Sequence, residues 1–235
     1  MKRILICFAL ACSVVAARAD FIIKQKMESA MRNGDTTTQI KGDKVRVDMA
    51  TGPMGEMSTI MDLSTGDTIT LMHKSKMAMK LSGAQMKQMM DAMKKQMGAI
   101  ADNAEPPKPQ ATGKTEKLGD YNTEIYTWSN TNGMTSTMTM WVTKDFPNFK
   151  NIKEQLAKVK KSAVGGMSKG MEPDDSALPG MVVKTQAEVL GQKITTTLVS
   201  VKEETLDASL FDVPKDYSYQ DMPQPGVTPE TKQKQ

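Results

Sequence analysis

The residues able to do chemistry in this chain are its sulfurs and a single imidazole. Among 235 residues there are 22 methionines, two cysteines and one histidine. Thioethers are soft, neutral donors that favour Cu(I), and an imidazole can complete such a site. His73 lies just before Met77 and Met79, so these three residues form one candidate metal set. On a strand, Met77 and Met79 share a face, as do Met138 and Met140, because side chains alternate. The same residues also suit two plainer roles. Methionine can replace leucine in a core, or it can wall an adaptable apolar cavity, since its unbranched side chain fits ligands of variable shape. The sequence leaves core, cavity and copper all open.

Other chemistries find little to work with. A hydrolytic nucleophile needs a neighbouring base, yet His73 is the only imidazole and no G-x-S-x-G turn accompanies it. Following Ile69 and Leu71 at two-residue spacing, His73 reads as a strand-end residue at a sheet rim. No His, Cys and carboxylate cluster has zinc-ligand spacing. Gly165-Gly166 lacks the strand-to-helix setting and the Lys-Ser/Thr of a phosphate loop. The adjacent carboxylates Glu203-Glu204 and Asp174-Asp175 point apart on extended chain. The expectation is a non-enzyme with no catalytic residues and no cofactor. A net charge of +4, without basic runs interleaved with aromatics, gives no case for nucleic acid as a partner.

Both cysteines, Cys7 and Cys12, fall in a segment with the layout of a secretory signal. Lys2 and Arg3 precede the apolar stretch 4–17, and Ala17-Arg18-Ala19 fits small-x-small cleavage before Asp20. The stretch is shorter than the roughly 20 residues a membrane span requires. A lipidation motif would need Leu three residues before Cys12, and Leu10 stands one step late. Cleavage would remove Lys2, Arg3 and Arg18, leaving 28 basic residues against 27 acidic ones. The mature chain would hold no thiol, so burial and hydrogen bonding would have to stabilise it. The expected location is periplasmic or secreted, with no transmembrane span.

The rest of the chain must supply the elements that position these side chains. Period-2 alternation predicts strands from Phe21 through Met31, over 36–40, 44–49, around Met57 to Met61, Ile69 to His73 and Met77 to Leu81. Asn33-Gly34-Asp35, Gly42-Asp43 and Ser64-Thr65-Gly66-Asp67 read as the turns between them. Met86, Met89, Met90, Met93 and Met97 then change the period to that of an amphipathic helix, and Ser82 with Gln85 forms a capping box at its start. Residues 102–112, with three prolines, read as a surface linker. Strands resume at 115–118, 121–128 and 134–142. A second amphipathic helix carries Phe149, Ile152, Leu156 and Val159. A Gly- and Ser-rich loop spans 165–179, and two strands follow at 180–190 and 193–203, turned at Gly191-Gln192. Leu206 to Phe211 reads as one helical turn capped by Asp207, and residues 222–235 as a disordered tail. With ten or eleven short strands and two interrupting helices, the class is α+β.

Four blocks carry a resemblance. They are Ile40-Lys41-Gly42-Asp43-Lys44-Val45-Arg46-Val47-Asp48, Glu124-Ile125-Tyr126-Thr127-Trp128, Met140-Trp141-Val142-Thr143-Lys144-Asp145-Phe146-Pro147, and Ser209-Leu210-Phe211-Asp212-Val213-Pro214-Lys215-Asp216-Tyr217. In order and spacing they resemble a bacterial family of secreted proteins known as a domain of unknown function. That family is similar in architecture to the periplasmic lipoprotein carriers of the LolA type. The resemblance implies a strongly curved antiparallel sheet, an incomplete barrel, with both helices on its concave face and an apolar cavity for acyl chains. Members often carry a cysteine near the position of Thr123; this chain does not, which removes a thiol-based role there.

Together these readings predict a cleaved signal over 1–19, one LolA-like domain over 20–221, and a tail over 222–235. The preferred function is a periplasmic binding or carrier protein for an apolar small molecule, lipid, acyl chain or lipoprotein. Its expected cavity lining is Met86, Met89, Met90, Met93, Met97, Met138, Met140, Phe149, Ile152 and Leu156. The alternatives are a Cu(I)-binding protein using His73, Met77 and Met79, or a module that binds another envelope protein. A monomer is expected.

Overall fold

The computed structural model describes residues 20–30, 33–50, 55–97, 107–130, 136–161, 173–189 and 191–221, with the side chains of 93–97, 161, 189 and 221 left aside. The expected signal (1–19), the tail (222–235), Met31 and Arg32, residues 102–106 of the expected linker and 165–172 of the expected loop therefore lie outside the described residues.

Two antiparallel meanders meet along one seam. The first comprises β1 (Phe21–Ser29), β2 (Asn33–Lys41), β3 (Lys44–Ala50), β4 (Glu56–Asp62), β5 (Thr68–Met72) and β6 (Met77–Leu81). The second comprises β7 (Gln110–Leu118), β8 (Tyr121–Asn130), β9 (Ser136–Thr143), β10 (Met181–Val189) and β11 (Gln192–Glu203). Each pairs with its sequence neighbour, and β1 pairs with β11 to join the halves. A last strand, β12 (Ser218–Asp221), adds to β6 in parallel. The result is one large, curved, unclosed sheet of twelve strands, ordered β12-β6-β5-β4-β3-β2-β1-β11-β10-β9-β8-β7. Helix α1 (Gly83–Met97) lies in the connection from β6, near one edge, to β7 at the other. Helix α2 (Phe149–Lys161) lies between β9 and β10.

Three strand expectations need correction. Asn33-Gly34-Asp35 is not a turn; all three residues sit in β2, with Gly34 opposite Met27 and Asp35 opposite Lys26. The Asn33 side chain instead accepts from the Ser29 N–H (3.1 Å), across the end of the hairpin. Gln192 belongs to β11, opposite Val189, so that turn is one residue earlier than its glycine suggested. The strand total is twelve, because Ser218–Asp221 is too short to show a period but finds the free edge of β6.

Alternation sends the apolar residues to both faces. Phe21 and Ile23 join Ile40, Val45, Met61, Trp141 and Ile152 of α2 in the largest cluster, against which Phe149, Leu156 and Val159 of α2 pack. Ile22, between Phe21 and Ile23, points the other way and meets Ile60, Leu71 and Ala78. That second face is covered by the segment 206–217, which brings Leu206 and Phe211. Leu71 there is 0% exposed, and burying such a side chain is worth about 1.5–3 kcal/mol. A third cluster groups Trp128, Met140, Val142 and Leu178 at the far end of the sheet.

Candidate functional site

His73 follows the last residue of β5, and both ring nitrogens are engaged. Nε2 lies 2.6 Å from Ser58 Oγ, and Nδ1 lies 2.5 Å from the Tyr217 hydroxyl. Ser58 is 1% exposed and has two further partners. Arg46 Nη2 donates to its oxygen (2.9 Å), and its hydroxyl donates to Asp48 Oδ1 (2.5 Å). A hydroxyl has one proton, and an ionised carboxylate can only accept. With the Ser58 proton directed at Asp48, the contact with Ser58 is left for His73 Nε2–H to donate, and Nδ1 meets the Tyr217 hydroxyl. The imidazole thus offers Ser58 an N–H and no lone pair. Ser58, His73 and Asp48 are the ingredients of a nucleophile triad, but in this order the Ser58 proton faces the Asp48 carboxylate and not the imidazole.

The arrangement works as a latch. Arg46 Nε also pairs with Asp48 Oδ1 (2.7 Å), while its Nη1 donates to the Leu210 carbonyl (2.8 Å). Lys76 pairs with Asp216 (2.8 Å), and the Ser218 N–H donates to the Lys76 carbonyl (2.9 Å). At the other end of the segment, the Leu206 N–H donates to Asp20 Oδ2 (3.0 Å), which also takes Lys41 Nζ (2.8 Å). The Asp207 side chain accepts from the Ser209 N–H (2.9 Å) and caps a 3-10 turn over Ala208–Phe211, as its sequence suggested. The Ser209–Tyr217 block is therefore a strap fastened across the sheet.

This geometry separates the candidate copper set. Ser58 and Leu71 are cross-strand partners, so the His73 network occupies the face of Leu71. Met77 pairs with Met72, and Met79 with Thr70, both on the opposite face. Residues 73, 77 and 79 do not converge. The reason is the register: His73 keeps the alternation of Ile69 and Leu71 and so stays on the strap side, while the hairpin pairs Met77 with Met72 and sends Met77 and Met79 to the other face.

The expected cavity lining is likewise divided. Ile152 is buried in the largest cluster, with Phe149 and Leu156 packed against it. Met140 is 1% exposed and, with Met138, belongs to the third cluster. Trp141, the residue between Met140 and Val142, belongs to the largest one, so Met138 and Met140 stand on the sheet face away from Ile152. On α1, Met86 is buried, Met90 half-buried and Met89 37% exposed. The side chains of Met93 and Met97 lie outside the described residues. The capping box is formed: the Gln85 N–H donates to Ser82 Oγ (3.2 Å), and Gln85 Oε1 accepts from the Ser82 N–H (2.9 Å).

An open groove of about 480 Å³ lies at the start of α2. Its apolar walls are Tyr121, Phe146, Ile152, Leu198, Val199 and Val201, and Asn148, Ser200 and Glu203 mark its polar rim. Tyr121 and Phe146 stack with ring centroids 5.3 Å apart. Asn148, at φ 53°, turns the chain into α2, and its amide donates to Glu203 Oε1 (3.1 Å), tying the helix start to the end of β11. Val199 owes its position to a bulge: Gln25 faces Leu198 and Lys24 faces Ser200, leaving Val199 unpaired and 63% exposed. Of the residues expected from the sequence, only Ile152 lines this groove. The adjacent apolar pair Leu198-Val199 breaks the alternation of β11 and was the available signal for the bulge.

A second concavity, of about 510 Å³, lies along β7, β8 and β9, with Glu116, Lys117, Glu124 and Lys144 among its lining side chains. Lys144 and Glu124 pair at 3.0 Å, and this ammonium contact, followed by the Tyr126 hydroxyl, holds the Glu124 carboxyl below its ordinary range. These are mutually satisfied surface charges. Among the described residues, no three His, Cys, Asp or Glu side chains gather as a metal site, and no helix is long and apolar enough to cross a membrane.

The family model described as Domain of unknown function (DUF4412) matches residues 22–217. No curated protein matches the sequence. Among solved structures, an uncharacterized conserved protein from Thermus thermophilus is similar over 87% of this chain and 91% of its own, at 8% identity and a TM-score of 0.50. The lipoprotein LppX of Mycobacterium tuberculosis is similar over 82% and 90%, at 8% identity and a TM-score of 0.41. LprF of Mycobacterium bovis is similar over 85% and 90%, at 8% identity and a TM-score of 0.37.

Proposed function

The chain belongs to the DUF4412 family, and for it we propose a non-enzymatic role as a binding or carrier protein for an apolar ligand, a lipid or acyl chain. One observation carries the reading: an open groove of about 480 Å³ whose apolar walls run into the main core at the start of α2. Its volume falls within the roughly 300–1,000 Å³ of small-molecule sites, and it brings apolar side chains together with polar groups at one mouth. The exposed Val199 extends the apolar surface outside the mouth, where a long chain would continue. The engagement of His73 and Ser58 with each other and with Asp48 and Tyr217 fits a binding role better than a hydrolytic one.

In this reading both helices lie on the concave face. Helix α1 adds its methionine stripe, starting with Met86, Met89 and Met90, as a yielding second wall, and Phe149, Ile152 and Leu156 form the firm one. Residues 1–19 act as a cleaved signal, and the protein works as a monomer in the periplasm or outside the cell. The test is binding of a fluorescent fatty acid, together with organic extraction and native mass spectrometry of protein purified from its own compartment. Recovery of lipid is expected, with at least tenfold weaker probe binding by Val199→Asp, whose exposed site tolerates charge. Protein that is consistently empty and does not bind the probe would overturn the reading.

A further inference from the structure

The register of the first meander places four methionines side by side. Met49 of β3 is opposite Met57 of β4, Met57 is opposite Met72 of β5, and Met72 is opposite Met77 of β6. Residues directly opposite in antiparallel strands point to the same face, with Cβ atoms roughly 4.5–5.5 Å apart. The four thioethers therefore form one continuous row across four strands. One step along, Met79 lies on the same face, two residues from Met77 on β6. The row runs along a rim of the sheet, since Met49 and Met72 are near the ends of their strands while Met57 and Met77 are at or next to the starts of theirs. All five side chains are half-buried, and none belongs to any of the three apolar clusters among the described residues. Met61, on the same face of β4, is buried in the main cluster. The protein thus distinguishes a core methionine from a rim row that no core absorbs.

We infer that this row is a site for a soft monovalent cation, Cu(I), held by thioethers alone. Met57 and Met72 occupy the middle of the row, so each has a sulfur-bearing neighbour on both sides, and three sulfurs from three adjacent strands can meet one ion. Soft thioether ligands select Cu(I) over the harder divalent ions. Because the ligands are neutral and carry no proton to lose, binding here releases none, unlike sites built from imidazole or thiol. This set differs from His73, Met77 and Met79, because His73 lies on the strap face with both ring nitrogens engaged.

The experiment titrates the full chain, carrying Cys7→Ser and Cys12→Ser so that no thiol competes, with Cu(I) supplied anaerobically as its bicinchoninate complex. Competition for one equivalent of Cu(I) is expected, with affinity unchanged from pH 5.5 to 8 and a sulfur-only shell in X-ray absorption. Met57→Leu and Met72→Leu keep the apolar volume and remove only the sulfur. Each is expected to weaken binding at least tenfold, while Met61→Leu leaves it unchanged; thermal melting checks the fold of every variant. Failure to compete at micromolar Cu(I), nitrogen in the metal shell, or equal affinity in the Met57→Leu/Met72→Leu double variant would overturn the inference.

Discussion

Asp62 shows how much a single side chain can do at a turn. It closes β4, accepts from the Ser64 and Thr65 N–H groups (2.9 and 3.3 Å), and pairs with Lys44 across the hairpin. The Lys44 ammonium first, then the Ser64 hydroxyl, hold its carboxyl far below the usual carboxylate range. A depressed folded-state pKa adds stability that is full above the unfolded value of about 3.9 and is lost as pH falls below it. Asp62→Asn should therefore cost on the order of 1–2 kcal/mol at pH 7 and progressively less as pH falls below about 3.9, so urea midpoints of the two proteins should draw together on acidification. A constant gap across that range would contradict the assignment. The Ser64-Thr65-Gly66-Asp67 turn was legible in the sequence because its residues act locally. The partners of His73 were not, since Tyr217 lies 144 residues away and no local pattern carries that distance.

Among the elements, α1 was the most fully legible, because a helical stripe and a capping box are both short-range signals. Its seating was not. A Cβ on Gly83 would lie 2.2 Å from the Thr65 carbonyl oxygen, and the Gly83 N–H donates to Asp67 Oδ1 (3.0 Å). The first turn of the helix thus rests on the β4–β5 turn with no room for a side chain. Helix propensity alone would make Gly83→Ala favourable by up to about 1 kcal/mol. The backbone clash should win, for a net loss of about 1–3 kcal/mol. Thermal unfolding decides the sign, and a stabilised variant would show that α1 is free to shift. The strands show the same division. Alternation places β3 to β6 and β8 to β11 nearly at their observed bounds, whereas the Asn33-Gly34 error shows hairpin chemistry losing to a longer ladder.

For the molecule as a whole, the strap over 206–217 is what makes the first meander a two-sided layer. Without it Ile60, Leu71 and Ala78 would face water. Phe211→Ala is expected to cost about 3–5 kcal/mol and Tyr217→Phe about 1 kcal/mol by urea denaturation. A loss below 1 kcal/mol for Phe211→Ala would mean the strap is only laid on the sheet. The sequence marked the strap as a distinctive block with a capped turn, yet gave no indication of which face it closes. The candidate groove was hidden for a similar reason: its walls come from the β7–β8 turn, the β9–α2 junction and a bulge in β11, and only the fold brings them together. Ile152 alone was visible beforehand, as one position in a helical stripe.

The seam between β1 and β11 has a consequence for how the chain is made. β1 leaves the ribosome early, yet one of its two edges, where Phe21 meets Glu203, stays bare until nearly the whole protein has been synthesised. Hairpins of the first meander can form within microseconds, but pairings so distant in sequence form slowly. Throughout that interval an open strand edge is available to any other extended chain. The bare edge of β1 is therefore the place on this chain where association with another extended strand is most easily started during folding.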